Sequence, residues 1–445
     1  MIIINDLEKA NYIRDSYIKD SYRIEDIENL WQFLAQRETL QFCPLENGLF
    51  SAASTESSTE YTGYQAVWIR DNIHVAHALY LWGTTAEKQT AVNTVISLAD
   101  FFVKELDALK NVVNAGRAPQ DQMARPHIRF KGQTLERIDQ EWNHAQNDAL
   151  GYFLWFFCKV VEDKLLQPNS QYGELLNLLV FYLDAIEYWQ DEDSGHWEES
   201  AKIQASSIGA VVAGLKAMRK LLVCDRNFAN SLGIYRGKSV TPNLLDNLIA
   251  NGEGALREIL PWESRQPNKE RRYDSALLFL IYPLQVVSDE QASQIVMDVI
   301  GNLQGEYGIS RYQNDSFWCK DYQDIPENIR TSIESDRQAW MKAHDRELNM
   351  GEEAQWCIFD PIISVIYGLQ YQKSPNPSLL AKQTEYLNRS LGQLTKEGFH
   401  LGEFKCPELY YLQNDEYIPG DATPLLWTQA NLLLALKWMQ NSLVG

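Results

Sequence analysis

Basic side chains are in short supply. The 445 residues carry 40 Lys and Arg against 60 Asp and Glu, a net charge of −20 with histidine neutral. A surface that acidic repels phosphate backbones and anionic lipid, so neither nucleic acid nor a membrane is expected as a partner. No stretch reaches the ~18 consecutive apolar residues of a membrane span. The 6 cysteines (Cys43, Cys158, Cys224, Cys319, Cys357 and Cys406) are scattered and form no C-x-x-C pair. That argues against a zinc ribbon, a thioredoxin-like site or a dense disulfide framework. Strand, glycine-rich turn and helix never follow one another as in a Rossmann unit or a P-loop, so nucleotide chemistry has no support and no cofactor is expected. No metal is expected either, because His74 and His77, at i and i+3, lack a third ligand. The opening stretch Met-Ile-Ile-Ile-Asn-Asp-Leu-Glu-Lys has neither the basic start nor the ~7–15-residue apolar core of an export signal. The expected compartment is the cytoplasm.

Aromatic rings, by contrast, are plentiful: 13 Trp, 22 Tyr and 16 Phe make up 11% of the chain. Indoles and phenols pair flat apolar faces with polar edges, which suits the C–H faces and hydroxyl rims of sugars; they also fill large cores. Helical periodicity dominates. Leu175, Leu179, Tyr182, Ile186 and Trp189 fall on a single helical stripe. Similar patterns predict helices over 85–109, 148–165, 203–222, 242–259, 274–287, 289–304, 358–372, 378–394 and 424–442, with shorter ones near 6–17 and 24–37. Residues 46–54 and 309–322 are the best candidates for short hairpins. Segment 152–161 is apolar nearly all round and must be covered on two sides. An inner and an outer class of helix predict an all-α fold of two concentric layers, an α/α toroid, with residues 1–445 as one domain. The Ser/Thr-rich 51–64 and the stretch 115–129 read as long loops. The charged 336–353 reads as an insertion or lid.

In such a toroid, chemistry gathers on the loops at one end of the inner helices. Five places combine charge with aromatics, and each has a plainer structural reading. Tyr64, Trp68, Arg70 and Asp71 lie directly before a helix, where opposite charges flanked by rings form a fork for vicinal hydroxyls; the plainer reading makes Asp71 an N-cap. Trp142, Gln146 and Asp148 stand at another helix start, with Asp148 as its cap. In Trp197-Glu198-Glu199, adjacent carboxylates repel, and in a partly dry cleft one has its pKa raised and holds a proton for a leaving oxygen; a solvated acidic turn is the alternative. Arg311 sits in the expected hairpin, either in a site or paired on the surface. Glu408 follows Pro407, which stiffens its approach, and Trp427 opens the last helix. Buried thiols in a reducing compartment are the plain reading; Cys319, Cys357 and Cys406 lie near these loops, where partial exposure stays open, but no His adjoins them as a base.

The ordered set Trp68-Ile-Arg70-Asp71, Gln146-Asn-Asp148, Trp197-Glu198-Glu199, Arg311-Tyr312, Pro407-Glu408 and Leu426-Trp427 resembles the glucoamylase-type glycoside hydrolases of family 15. It is similar, even more closely, to the amino-terminal domain of the phosphorylase kinase α and β subunits, through Gln204-Ala-Ser-Ser-Ile-Gly209, the Leu303-Gln-Gly motif ending at Gly308, and Pro407-Glu408-Leu-Tyr410. The resemblance runs from about residue 62 to about 436 and implies an (α/α)6 barrel. It also implies Glu198 as general acid, Glu408 as general base and Glu199 as a substrate contact. Arg70 and Asp71 match the pair that holds the outer hydroxyls of the terminal sugar. Tyr64, Trp68, Trp142, Arg311 and Trp427 match ring-stacking or hydroxyl-binding positions, with Gln146, Asp148 and Trp197 in the same motifs. The family inverts at the anomeric carbon, which implies carboxyl groups roughly 6.5–9.5 Å apart. Departures are Ser316-Phe-Trp318 after Asp315, and Leu-Tyr after Glu408. The doubled Glu198-Glu199 is like the active hydrolases rather than the kinase subunits. No starch-binding module, amino-terminal β-sandwich or calmodulin-binding tail is expected. The expected function is an inverting, exo-acting α-glucosidase releasing terminal glucose from α-glucans or oligosaccharides, with any protein partner unknown. A non-catalytic glucan-binding or regulatory module, and a hydrolase of trehalose or another small glucoside, stay open.

Overall fold

The computed structural model describes residues 16–53 and 63–444. Most of the expected helix at 6–17 and of the loop at 51–64 lies outside them. The long helices are α1 (Ile24–Gln36), α2 (Ile69–Trp82), α3 (Thr85–Lys104), α4 (Leu106–Ala115), α5 (Asn147–Glu162), α6 (Ser170–Ala185), α7 (Ala205–Cys224), α8 (Pro242–Ile259), α9 (Asp289–Leu303), α10 (Glu334–Ala343), α11 (Phe359–Lys373), α12 (Pro377–Gly392) and α13 (Leu426–Val444). Local chemistry sets several of their ends. Thr84 with Glu87, and Ser288 with Gln291, close capping boxes at the starts of α3 and α9. Pro242 occupies the first turn of α8 behind the Thr241 cap.

Burial separates two classes of helix. Helices α2, α5, α7, α11 and α13, with the short turns Ser275–Leu277 and Leu278–Ile281, are buried along most of their length. They form a ring: α2 packs on α5, α5 on α7, α7 on 278–281, that segment on α11, α11 on α13, and α13 on α2. Helices α1, α3, α6, α8, α9 and α12 form the outer layer, bury fewer residues on average and keep polar faces outside. This is the six-hairpin arrangement, with two small antiparallel sheets in its loops. The first joins β1 (Val67–Trp68), β2 (Arg129–Lys131) and β3 (Glu136–Arg137); the second joins β4 (Gln355–Trp356), β5 (Leu409–Gln413) and β6 (Glu416–Pro419).

Several local expectations are corrected. The helix expected over 85–109 breaks at Glu105, whose buried carboxylate accepts from His127 N at 3.0 Å and Arg137 Nε at 2.7 Å. The one expected over 274–287 stops at Ile281 because Pro283 disfavours helical backbone at Tyr282. Neither expected hairpin forms. Within 46–53 the chain makes a tight turn at Leu45–Leu49, and Ala53 bridges Leu425. Ile309 pairs with Gln304 and Trp356, and Tyr312 with Asp274, so the 309–322 segment bridges to other parts of the chain rather than to itself. The 336–353 segment contributes α10, which is docked on the ring end rather than standing off it.

The α5–α7 seam depends on glycine. A Cβ at Gly151 would lie 2.4 Å from the Ala210 carbonyl carbon, and one at Gly214 would lie 2.8 Å from the Gly151 oxygen. Helix propensity alone favours Ala over Gly by about 1 kcal/mol. Here the obstructing atoms are backbone, so the helices must separate. Gly151→Ala is therefore expected to destabilise the protein, by about 1–3 kcal/mol, read from the urea midpoint at unchanged slope.

Candidate active site

The inner helices begin at one end of the ring, and most of the predicted residues stand at those beginnings, with Arg311 and Glu408 on loops beside them. Arg70, in the first turn of α2, is the hub. It is 3% exposed, and its Nη1 donates to Asp148 Oδ2 at 2.5 Å, Gln146 Oε1 at 3.3 Å and the Gly195 carbonyl at 3.4 Å. Its Nη2 donates to Glu198 Oε1 at 3.0 Å. Neither Asp71 nor Asp148 takes the plainer N-cap role. Trp68 and Gln146 hold those positions, and Asp148 instead neutralises a buried guanidinium. Arg70 holds the Asp148 carboxyl below the ordinary range despite complete burial.

Glu198 sits in the turn before α7 with φ 59°, a left-handed backbone. For a residue with a Cβ that conformation costs about 1–3 kcal/mol and persists only where its neighbours impose it. Both neighbours are anchored. Trp197 Nε1 donates to Asp274 Oδ1 at 2.9 Å. Glu199 Oε1 accepts from Arg337 Nη2 at 2.7 Å, Arg311 Nη2 at 2.9 Å and Tyr312 OH at 3.3 Å, and Oε2 accepts from the Glu334 amide at 2.7 Å. Gly195 has no room for a side chain: a Cβ there would lie 2.4 Å from Gln204 Nε2. Glu198 keeps 22% of its side chain exposed.

Glu408 arrives from the second sheet, immediately before β5. Its amide donates to Ala422 O at 3.1 Å and its carbonyl accepts from Cys357 N at 2.9 Å, so its backbone is fixed on both sides. Tyr64 OH lies 2.8 Å from each carboxylate oxygen. Arg311 is gripped by Asp315 in two bonds of 2.6 and 2.7 Å and lies against Trp197, Phe317 and Trp356. Trp68 meets Trp142 edge to face, with the Arg129 guanidinium over both rings. Beneath the site, Trp427 stacks on His74 at 4.6 Å and on Phe279 at 5.3 Å, and Phe279 stacks on His196. These histidines are buried and their pKa values are driven down, so they act as flat neutral rings. His77 is likewise buried, with Nε2 3.0 Å from Tyr282 OH.

Electrostatics sorts the acids. Burial pushes Glu198 up to about 7 against the pull of Arg70, with Asp71 adding repulsion. Burial likewise pushes Glu408 up to about 8, opposed by Tyr64 and Arg311 and reinforced by Asp71 and Glu198. Asp71 rises to about 6 for the same first reason, against Arg70. The three therefore sense one another across a common space. Glu199 goes the other way: Arg337, a hydrogen bond with Glu334, and Arg311 overcome burial and hold it well below the ordinary range. This arrangement can hold a proton on one carboxyl near neutrality and accept one on another.

All thirteen predicted residues thus fall in one connected neighbourhood. Arg129, Asp274, Asp315, Glu334 and Arg337 belong to it and were missed. Arg337 and Met341 are the two buried residues of α10, and this i, i+4 pair within 336–353 was the signal available. Cys319, Cys357 and Cys406 are buried, as in the plain reading, and burial pushes all three up, Cys319 to about 12. Among the described residues no cluster of His, Cys, Asp and Glu is arranged to hold a metal, and no helix is long and apolar enough to cross a membrane.

The family model for "Glycosyl hydrolases family 15" matches residues 34–344, and the chain belongs to that family. Glu408 lies beyond the matched residues. The chain is 24% identical over 403 residues to a probable phosphorylase b kinase regulatory subunit alpha of Caenorhabditis elegans, covering 82% of this chain and 30% of that protein. It is 22% identical over 406 residues to the skeletal muscle isoform of Oryctolagus cuniculus, with the same coverage. It thus spans under a third of the length of these relatives. Among solved structures, the glucoamylase of Saccharomycopsis fibuligera superposes with a TM-score of 0.60 at 12% identity, over 96% of this chain and 97% of that one. A structure titled "Glycosidase Wild Type" gives 0.62 at 16% identity, over 94% and 97%. These likenesses establish the (α/α)6 fold.

The raised acids predict a stability signature that needs no substrate. Between the ordinary carboxyl value of 4.5 and about 8 the folded chain holds the Glu408 proton and the unfolded chain does not. Folding stability from this group is therefore complete below 4.5 and is lost as pH rises through 8. Glu408→Gln removes that slope. Its melting temperature relative to wild type is expected to climb from pH 5 to a plateau above pH 8, as read by calorimetry.

Proposed function

We propose that the protein is an inverting, exo-acting α-glucosidase that removes terminal glucose from α-linked glucans or oligosaccharides. One observation carries this reading: Glu198 and Glu408, 210 positions apart in sequence, are each held by a partner side chain, Glu198 by Arg70 Nη2 at 3.0 Å and Glu408 by Tyr64 OH at 2.8 Å, in surroundings that raise both carboxyls toward neutrality. Titrating as a pair with apparent values of about 7 and 8, they hold one proton between them from pH 7 to 8, and the productive fraction is the one that carries it on Glu198 with Glu408 ionised. Glu198 protonates the glycosidic oxygen. Glu408, oriented by Tyr64, takes a proton from water, which attacks the anomeric carbon from the opposite face. The products are glucose of inverted configuration and a glucan one unit shorter. Arg70 fixes the Glu198 carboxyl, Asp71 binds sugar hydroxyls, and Trp68, Trp142, Trp197 and Trp427 supply rings for the C–H faces. The 6 free thiols fit a reducing, cytoplasmic setting.

A second reading has its own support, because the curated relatives are named regulatory subunits. In it the same residues bind a glucan without turnover. Glucose release from maltooligosaccharides separates the two. Wild type is expected to release glucose first as the β-anomer, and Glu198→Gln and Glu408→Gln are each expected to lose about 10²–10⁴ in kcat. Equal rates for all three, or sugar binding by calorimetry with no product, would favour the regulatory reading. In the hydrolytic case kcat/KM follows a bell with limbs near 7 and 8.

A further inference from the structure

Helix α10 lies outside the six hairpins, yet its first turn reaches into the acid-bearing turn. The contacts run both ways. The Glu334 amide donates to Glu199 Oε2 at 2.7 Å, and the Ser200 amide donates to Glu334 Oε2 at 2.7 Å. Lys202 Nζ is 3.6 Å from Glu334 Oε1. One turn further on, Arg337 sends each nitrogen to a different element: Nη2 to Glu199, Nε to Ser316 Oγ at 3.1 Å, and Nη1 to the Ser332 carbonyl. Its guanidinium also lies over Phe317. Ile333, the N-cap residue of α10, offers no side-chain cap, and Glu199 supplies the missing acceptor from 135 residues away.

We infer that α10 is a clasp for the acid turn, with Arg337 and Glu334 as positioning residues for Glu198 and Glu199 as their anchor rather than a sugar contact. Four donors from this chain already occupy the Glu199 oxygens. The left-handed backbone of Glu198 needs restraint on both sides. Asp274 provides it through Trp197 on the ring side; on the other side it comes from Arg311 and the clasp. Opening the clasp frees the peptide that aims the Glu198 carboxyl while leaving the indole walls and Glu408 in place. The inference rests on the hydrolytic reading only for its effect on rate; its effect on the turn is independent of that reading.

The test uses the full chain and the variant Arg337→Met, which keeps an apolar stem and removes the fork. Hydrogen exchange is expected to quicken by about tenfold or more in peptides covering 198–203 and 333–343 together, with 275–281 unchanged. On maltooligosaccharides kcat is expected to fall by about tenfold or more, with KM within about threefold. Arg337→Lys, which keeps the charge near Glu199, is expected to recover part of both. Exchange that quickens in 333–343 while 198–203 stays protected would overturn the inference, as would no change in either. A wild type without turnover would sink the proposed activity while the exchange measurement still decides the clasp. Should Arg337→Met fail to fold, Glu199→Gln, which keeps the shape and weakens every bond to the anchor, is read by the same two peptides with the same outcomes.

Discussion

A buried cation organises this end of the molecule. Arg70 cannot shed its charge, and burial with no partner is prohibitive. The fold answers with Asp148 at 2.5 Å, the Gln146 amide oxygen and the Gly195 carbonyl, so that α2, the start of α5 and the turn before α7 are tied to one guanidinium. Removing one partner of such a pair typically costs about 3–5 kcal/mol. All three bonds come from Nη1, and Nη2 is left to face Glu198. The same guanidinium that closes three segments of the ring thus also pulls against the burial that raises Glu198.

Around that centre the acids divide by their supply of cations. Glu199 has two guanidiniums and a backbone amide and stays ionised. Glu408 has a phenol and a more distant arginine, and Glu198 shares its arginine with Asp148. Burial is common to all three; what differs is compensation. Two neighbouring positions in the chain, 198 and 199, are accordingly shifted in opposite directions from the ordinary carboxyl value.

How much of this the sequence disclosed follows from the range of the interactions. The ring was legible because helical stripes are local, as in 175–189, and because 152–161 is too apolar to have a wet face. The motif residues were legible as dense mixtures of rings and charges at helix starts. What failed was non-local. Asp71 and Asp148 looked like caps because a cap needs only its own next turn, whereas the Arg70–Asp148 pair spans 78 positions. The 309–322 segment alternated like a hairpin strand, but its partners are Trp356 and Asp274. Arg337 was hidden in a charged segment read as an insertion or lid, since nothing within ten residues of it announces Glu199. Pro283 and Glu105 were visible and misjudged: a proline and a buried acid each outweighed an unbroken apolar pattern.

The rings under the site carry a last consequence. His74, Phe279, His196 and Trp427 come from α2, the 275–281 segment, the turn before α7, and α13, and they lie against one another in the middle of the ring. Being uncharged and close-packed, they form a stopper. A layer packed this tightly leaves no passage along the ring axis, so a chain approaching from the helix-start end could not be threaded through the molecule. On the hydrolytic reading proposed above, such a floor would admit only the end of a glucan, one sugar at a time.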